Sequence, residues 1–178
     1  MLSYDQLSAP ERMLWDAFPE GRWADLRTGT PDEDDPAQGG SWGRERTVRA
    51  EVVVALLLGA NTRQEAAVAT LRLAGARITG RLELDDAEIG HALWLDGCHV
   101  EDEISMTGTT IRTLCVRYSH LRRFDARLAR VNGRFLIEHS HVDGQLSLID
   151  ARVEGSLHQA GPLSRCPGTG PCSQAGSR

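Results

Sequence analysis

From Leu71 to Leu157 one pattern returns about every eleven residues, and so short a fixed period with a recurring apolar skeleton is the mark of a stacked solenoid. The units begin at Leu71, Leu82, Leu93, Ile104, Leu114, Phe124, Phe135 and Leu146, and another starts at Leu157. Each carries apolar residues at its first and third positions, as in Leu71/Leu73, Leu93/Leu95 and Phe135/Ile137. That alternation turns both side chains to one side of a strand.

Three residues past the second apolar position stands a small side chain: Ala76, Ala87, Cys98, Thr109, Ser119, Ala129, Ser140 or Ala151. Two further on comes a branched one, from Ile78 and Ile89 to Val142 and Val153. A step of three breaks the alternation, so the chain must bend between two short strands. Gly80, Gly133, Gly144 and Gly155 close several units, where a corner with positive φ or close backbone approach is easiest without a Cβ. Eleven residues can hardly enclose a core, so two units of 10–11 residues are expected per coil. The expected fold is mainly β: a right-handed quadrilateral β-solenoid of about four coils, on the order of 20 Å long, behind an α-helical N-terminal region.

That region spans 1–70. Ser8 and Glu11 form a capping box at the start of a helix expected over Ala9 to Phe18, with Leu14, Trp15 and Phe18 as its apolar face and Gly21 as its stop. Residues 28–43 combine proline, glycine and an acidic run and read as a solvated loop. Arg46 to Leu58 reads as a second helix ended by Gly59, and a helix over Gln64 to Thr70 would cover the open edge of the first coil. The solenoid is expected over 71–157 and a Gly/Pro/Ser-rich disordered tail over 158–178, with Cys166 and Cys172 forming a small disulfide loop or partial metal site. A rod that stops there calls for a partner on its C-terminal end, or for more coils in a longer chain.

The net charge of −5 argues against nonspecific nucleic-acid binding, which rests on a basic field. Lysine is absent, which excludes a phosphate-loop lysine and a Schiff base. Met1 to Leu7 lacks a basic segment leading into an apolar core, and the longest apolar stretch, Val52 to Ala60, is far short of the roughly 20 residues that span a bilayer. A cytoplasmic protein with no transmembrane segment is expected, with peripheral membrane contact left open. Cysteines at 98, 115, 166 and 172 are too few and too unevenly spaced for a disulfide scaffold.

Pairing two units per coil fixes which side chains stack. The seventh positions of alternate units are Arg77, His99, His120 and His141, so three histidines point outward at about the 4.8 Å inter-strand spacing, as a candidate metal site or pH sensor. His139 and Asp143 are the candidate additional ligands. The alternative is plain stacking of like residues at equivalent positions. The second positions of the same units are Arg72, Trp94, Cys115 and Leu136, against the solvent-type residues Glu83, Ser105, Asp125 and Ser147 in the intervening units. The apolar face around Trp94, Cys115 and Leu136 must be covered, by the N-terminal helices or as a dimer or partner interface anchored on Trp94.

No dinucleotide, phosphate-loop, zinc-protease or nucleophile-elbow motif is present, so no catalytic residue and no cofactor is assigned. The acids Asp85/Asp86 and Glu101/Asp102/Glu103 fall at corners and read as solvated. The elements Ala76-Arg77-Ile78 and Ala151-Arg152-Val153 resemble the repeat of pentapeptide-repeat proteins, which form right-handed quadrilateral β-helices. RTVRAEVVVALLLGA followed by LRLAGARITGRLEL resembles actinobacterial proteins labelled membrane-associated oxidoreductases, over about residues 8 to 157. The residues themselves point first to a non-enzymatic scaffold that binds another protein or a second copy through a solenoid face or its C-terminal end. The resemblances imply two others, an oxidoreductase and a gyrase-binding DNA mimic.

Overall fold

The computed structural model describes residues 2–61 and 68–155, and the backbone alone of 157–158. It is a parallel β-solenoid of about four coils with helices at its N-terminal end. Leu71 stands opposite Leu93, Leu93 opposite Leu114 and Leu114 opposite Phe135. Ile104 faces Phe124, and Phe124 faces Leu146. Register therefore advances by 20 to 22 residues at each step, two sequence units to a coil. Four columns of pairing run along the rod, through Leu71, Ile78, Leu82 and Ile89 and their successors, which makes it four-sided. The paired apolar residues of the units from Leu71 to Phe135 are buried in one continuous core.

The small residues before each branched one have a second role beyond fitting a corner. Ser119 Oγ accepts a hydrogen bond from Cys98 N at 3.1 Å and donates to Arg117 O at 2.7 Å, and Ser140 Oγ repeats the arrangement with Ser119 N and Glu138 O. In the opposite corner Thr109 Oγ1 donates to Leu84 O at 2.6 Å. These buried hydroxyls satisfy backbone groups that turn away from the ladders, which would otherwise be costly to bury.

At the unit-closing glycines close backbone approach, one of the two roles expected, prevails over positive φ. Of the four unit-closing glycines only Gly80 has a positive φ, 83°. A Cβ on Gly133 would lie 2.7 Å from Arg112 O and one on Gly144 2.8 Å from Arg122 O, so these positions serve close approach between coils. The left-handed corners lie elsewhere. One column holds Gly75, Gly97, Tyr118 and His139, the other Asp86, Gly108, Leu128 and Asp150.

The first helix, α1 (Ala9–Ala17), begins at the expected capping box: Glu11 Oε2 accepts from Ser8 N at 2.8 Å, and Ser8 Oγ from Glu11 N at 3.4 Å. Leu14 and Phe18 are buried beneath it, and Gly21 follows with φ 62°. The second expected helix divides. Arg44–Arg46 is a 3-10 turn, Thr47–Arg49 a strand paired with Arg77–Thr79, and only Ala50–Leu57 is helical, here α2. Backbone pairing to the first coil outweighs helix propensity for β-branched Thr47 and Val48. Trp23–Asp25 likewise pairs with Arg72–Ala74. Together these two strands make a rung ahead of the repeat, and α2 packs its buried Val52, Val53, Leu56 and Leu57 onto that end. Most of the segment 64–70, and the tail with Cys166 and Cys172, lie outside the described residues. No described helix is long and apolar enough to cross a membrane.

Candidate functional site

Two surface columns carry side chains with chemistry. The first follows the strands Arg77–Thr79, His99–Ser105, His120–Asp125 and His141–Val142, in which Arg77, His99, His120 and His141 stand in register on successive coils. The rings stack: centroids of His99 and His120 are 5.3 Å apart at 16°, those of His120 and His141 5.0 Å apart at 34°.

Their partners differ along the column. Arg77 pairs with Glu101, and its Nη1 donates to Trp42 O at 2.9 Å. His99 Nδ1 lies 2.8 Å from Pro36 O, and Gly39 sits so close over His99 that a Cβ there would collide with its side chain. The loop 28–43 is thus ordered against the column, through a 3-10 turn at Pro36–Ser41, rather than being only a solvated linker. His120 and His141 both turn Nε2 to Asp143, at 2.9 Å to Oδ2 and 3.1 Å to Oδ1. One nitrogen from each ring and one Asp143 oxygen lie within 4.8 Å of one another. An open cleft beside them is lined by His99, Glu101, Asp102, His120, Arg122 and Asp143.

His139 does not join this group. Its φ of 48° puts it in the left-handed corner, where the ring stacks 5.1 Å from Tyr118 and Nε2 faces Glu138. A neighbour in sequence is turned away by the corner between them.

The second column follows the adjacent face, where Trp23, Arg72, Trp94, Cys115 and Leu136 are paired in that order. The sequence pattern extends it only as far back as Arg72, because Trp23 belongs to the rung before the repeat. Cys115 and Leu136 are 0% and 8% exposed, so the thiol is enclosed between larger neighbours in its ladder instead of open to solvent. Burial raises its pKa to about 11, which keeps it protonated and unreactive near neutral pH. The helices do not provide this cover: α1 packs on Trp23–Asp25, Thr47–Arg49 and Thr70–Ala74, and α2 lies over the end of the first coil. What stays accessible is Trp23, Arg72 and Trp94, with the guanidinium groups of Arg72 and Arg117 6.0 and 5.9 Å from the Trp94 ring centre.

The intervening units differ from the expected solvent face as well. Ser105 and Ser147 are buried, and Ser105 Oγ donates to Asp85 Oδ1 at 2.6 Å, an oxygen that also accepts from Thr107 N. Asp85 therefore covers its neighbouring coil instead of being merely solvated.

The fold is a parallel β-solenoid, consistent with pentapeptide-repeat-like solenoids. Compared with family models, curated proteins and solved structures, the chain gives no match.

Proposed function

We infer that this protein is an interaction scaffold, in which the solenoid serves as a rigid frame and the Trp23–Arg72–Trp94 column as the docking face for another polypeptide. The supporting observation is that column itself. Two partly exposed tryptophans flank an arginine at rung spacing on a flat parallel sheet, and Trp and Arg are the residue types that carry most binding energy at protein interfaces. Their backbones are fixed by strand pairing, so little main-chain freedom is lost on binding.

The test is a photo-cross-linking side chain placed at position 94, or at exposed Glu83 on another face, in the protein's own cells. A discrete protein adduct from position 94 and none from position 83 supports the reading. Adducts from both positions, or from neither, overturn it. Sedimentation velocity of the wild type and Trp94→Asp then tells a second copy from a different partner.

The oxidoreductase activity implied by the stretch RTVRAEVVVALLLGA is a separate reading with a direct test. A bound flavin, haem or iron–sulfur group colours the protein as purified from its own cells, and a colourless protein with no bound nucleotide overturns that reading. A DNA-mimicking rod needs a continuous acidic face, whereas the acids along this rod are interleaved with arginines in pairs such as Arg117–Asp96, Arg81–Glu103 and Arg127–Asp125.

A further inference from the structure

We propose that His120, His141 and Asp143 bind one divalent transition-metal ion, which staples two successive coils together. The site is independent of the docking column and lies on the neighbouring face. Three features of the fold lead to it.

First, the register decides which histidines can cooperate. Parallel pairing of His120–Leu121 with His141–Val142 makes the two imidazoles leave the sheet side by side, one rung apart although far apart in sequence. His99 is on the same column but is occupied by Pro36 O and covered by Gly39, so it supports the His120 ring by stacking and leaves the ligand set to the other two.

Second, Asp143 already bridges the pair, with a separate carboxylate oxygen for each Nε2. For one carboxylate to accept from both rings, each Nε2 must carry a hydrogen. A metal ion replaces those two hydrogens with its own bonds. A neutral ring does this by moving its proton to Nδ1, which frees the Nε2 lone pair for the ion.

Third, the distances suit a small ion. With Zn–N bonds of about 2.0–2.1 Å, tetrahedral donors stand about 3.3–3.4 Å apart, so donors now within 4.8 Å of one another close by at most about 1.5 Å, shared between the two side chains of each pair. The His120–His141 rings are already tilted by 34°. Two imidazoles and one carboxylate, with the remaining positions open to the cleft, favour Zn²⁺, Ni²⁺, Co²⁺ or Cu²⁺ over Mg²⁺ and Ca²⁺, which take all-oxygen sites. The side chains grade from 16% exposed at His120 to 33% at His141 and 49% at Asp143, so the site has an open entry and a sheltered floor.

Calorimetric titration of the full chain with Zn²⁺ and with Mg²⁺ tests the proposal. The Cys166→Ser/Cys172→Ser variant is titrated alongside, because those two thiols could bind zinc elsewhere. One Zn²⁺ per chain is expected in both proteins, with little response to Mg²⁺. Affinity is expected to fall by more than about tenfold in His141→Ala and in the near-isosteric Asp143→Asn, the scale on which even outer-shell partners of a metal act. His139→Ala is expected to bind as the wild type does. Loss of binding only in the cysteine variant, unchanged affinity in both His141→Ala and Asp143→Asn, or no Zn²⁺ uptake at all overturns the proposal. Thermal unfolding of each variant without metal shows whether it is folded, and Asp143→Asn decides the matter if His141→Ala is not.

Discussion

The rung made by Trp23–Asp25 and Thr47–Arg49 continues the same parallel ladders as the coils after it, yet the two regions are held by different means. In the coils each apolar column is repeated above and below, so Leu71, Leu93, Leu114 and Phe135 bury one another along the ladders, and side-chain hydroxyls are needed only at corners such as Ser119 and Thr109. Among the described residues no coil precedes the N-terminal rung. Ala24 and Val48 fill the inward places of Leu73 and Ile78, but the strands that carry them are tied down by charged side chains.

Arg46 is the main tie. It is 4% exposed, stacks 3.6 Å from the Trp42 ring centre, and bonds Gly75 O at 2.8 Å, Glu33 O at 2.9 Å and Asp34 Oδ1 at 2.9 Å. It thereby joins the acidic loop, the rung and the first repeat corner. Glu11, 2% exposed at the start of α1, accepts from Arg49 N, Nε and Nη2 and fixes the strand-to-helix junction. A repeat stabilises itself through its neighbours, whereas an end has to be pinned by specific contacts.

This contrast can be broken or sharpened by substitution, taken from the largest effect down. Phe124→Ala removes a fully buried ring from the middle of the stack and is expected to cost about 4 kcal/mol in urea unfolding. A loss under about 1 kcal/mol would mean that the coils do not depend on their shared core. Arg46→Ala removes the cation paired with Asp34 and the donor to Gly75 O, while Glu33 O keeps Trp42 Nε1 and Asp34 keeps the Thr28 and Gly29 amides, and is expected to cost about 3 kcal/mol. Its amide-exchange protection should fall at 23–25 and 47–49 while that at 114–125 is kept; equal loss in both regions would erase the distinction.

Ser119→Ala tests the corner hydroxyls, since it strips the acceptor from Cys98 N. The expected cost is about 2 kcal/mol, and Ser119→Thr should retain part of it because the hydroxyl is preserved.

The smallest effect belongs to Glu11 and depends on pH. Burial alone would raise its carboxyl pKa, but the hydrogen bonds from Arg49 and from Ser8 N outweigh this and hold it below the ordinary value of 4.5. A depressed folded-state pKa means that the stabilisation is fully present above the unfolded value and is lost as pH falls through the lower folded one. The melting temperature of wild type should therefore exceed that of Glu11→Gln near neutrality, with the gap closing on acidification below about pH 4.5. A gap that stays constant or widens in acid would show that the carboxylate charge does not hold this junction.

Much of the solenoid and both candidate columns were legible from the period, because burial of alternate positions leaves a local trace. Pairing two units per coil brings His120 beside His141 and Trp94 beside Cys115 without reference to coordinates. Less legible was the fate of side chains at corners. His139 and Asp143 flank His141 equally closely in sequence, and only the left-handed backbone at His139 sends one to Tyr118 while the other bridges two histidines. Exposure of Cys115 and Ser105 also escaped the pattern, because a small residue set between large ones, or beneath Asp85, is enclosed by its neighbours' volume.

By itself the sequence determined the repeat, its inward columns and the side chains that share each outer face, since all three follow from periodic burial along the chain. The tertiary structure alone decided that Trp23 and Val48 begin the ladders, that Arg46 and Glu11 pin that first rung, and that Asp143 joins His120 to His141. Those contacts connect residues with no common period, so their positions are set by the closing of the chain in space and leave no local signature.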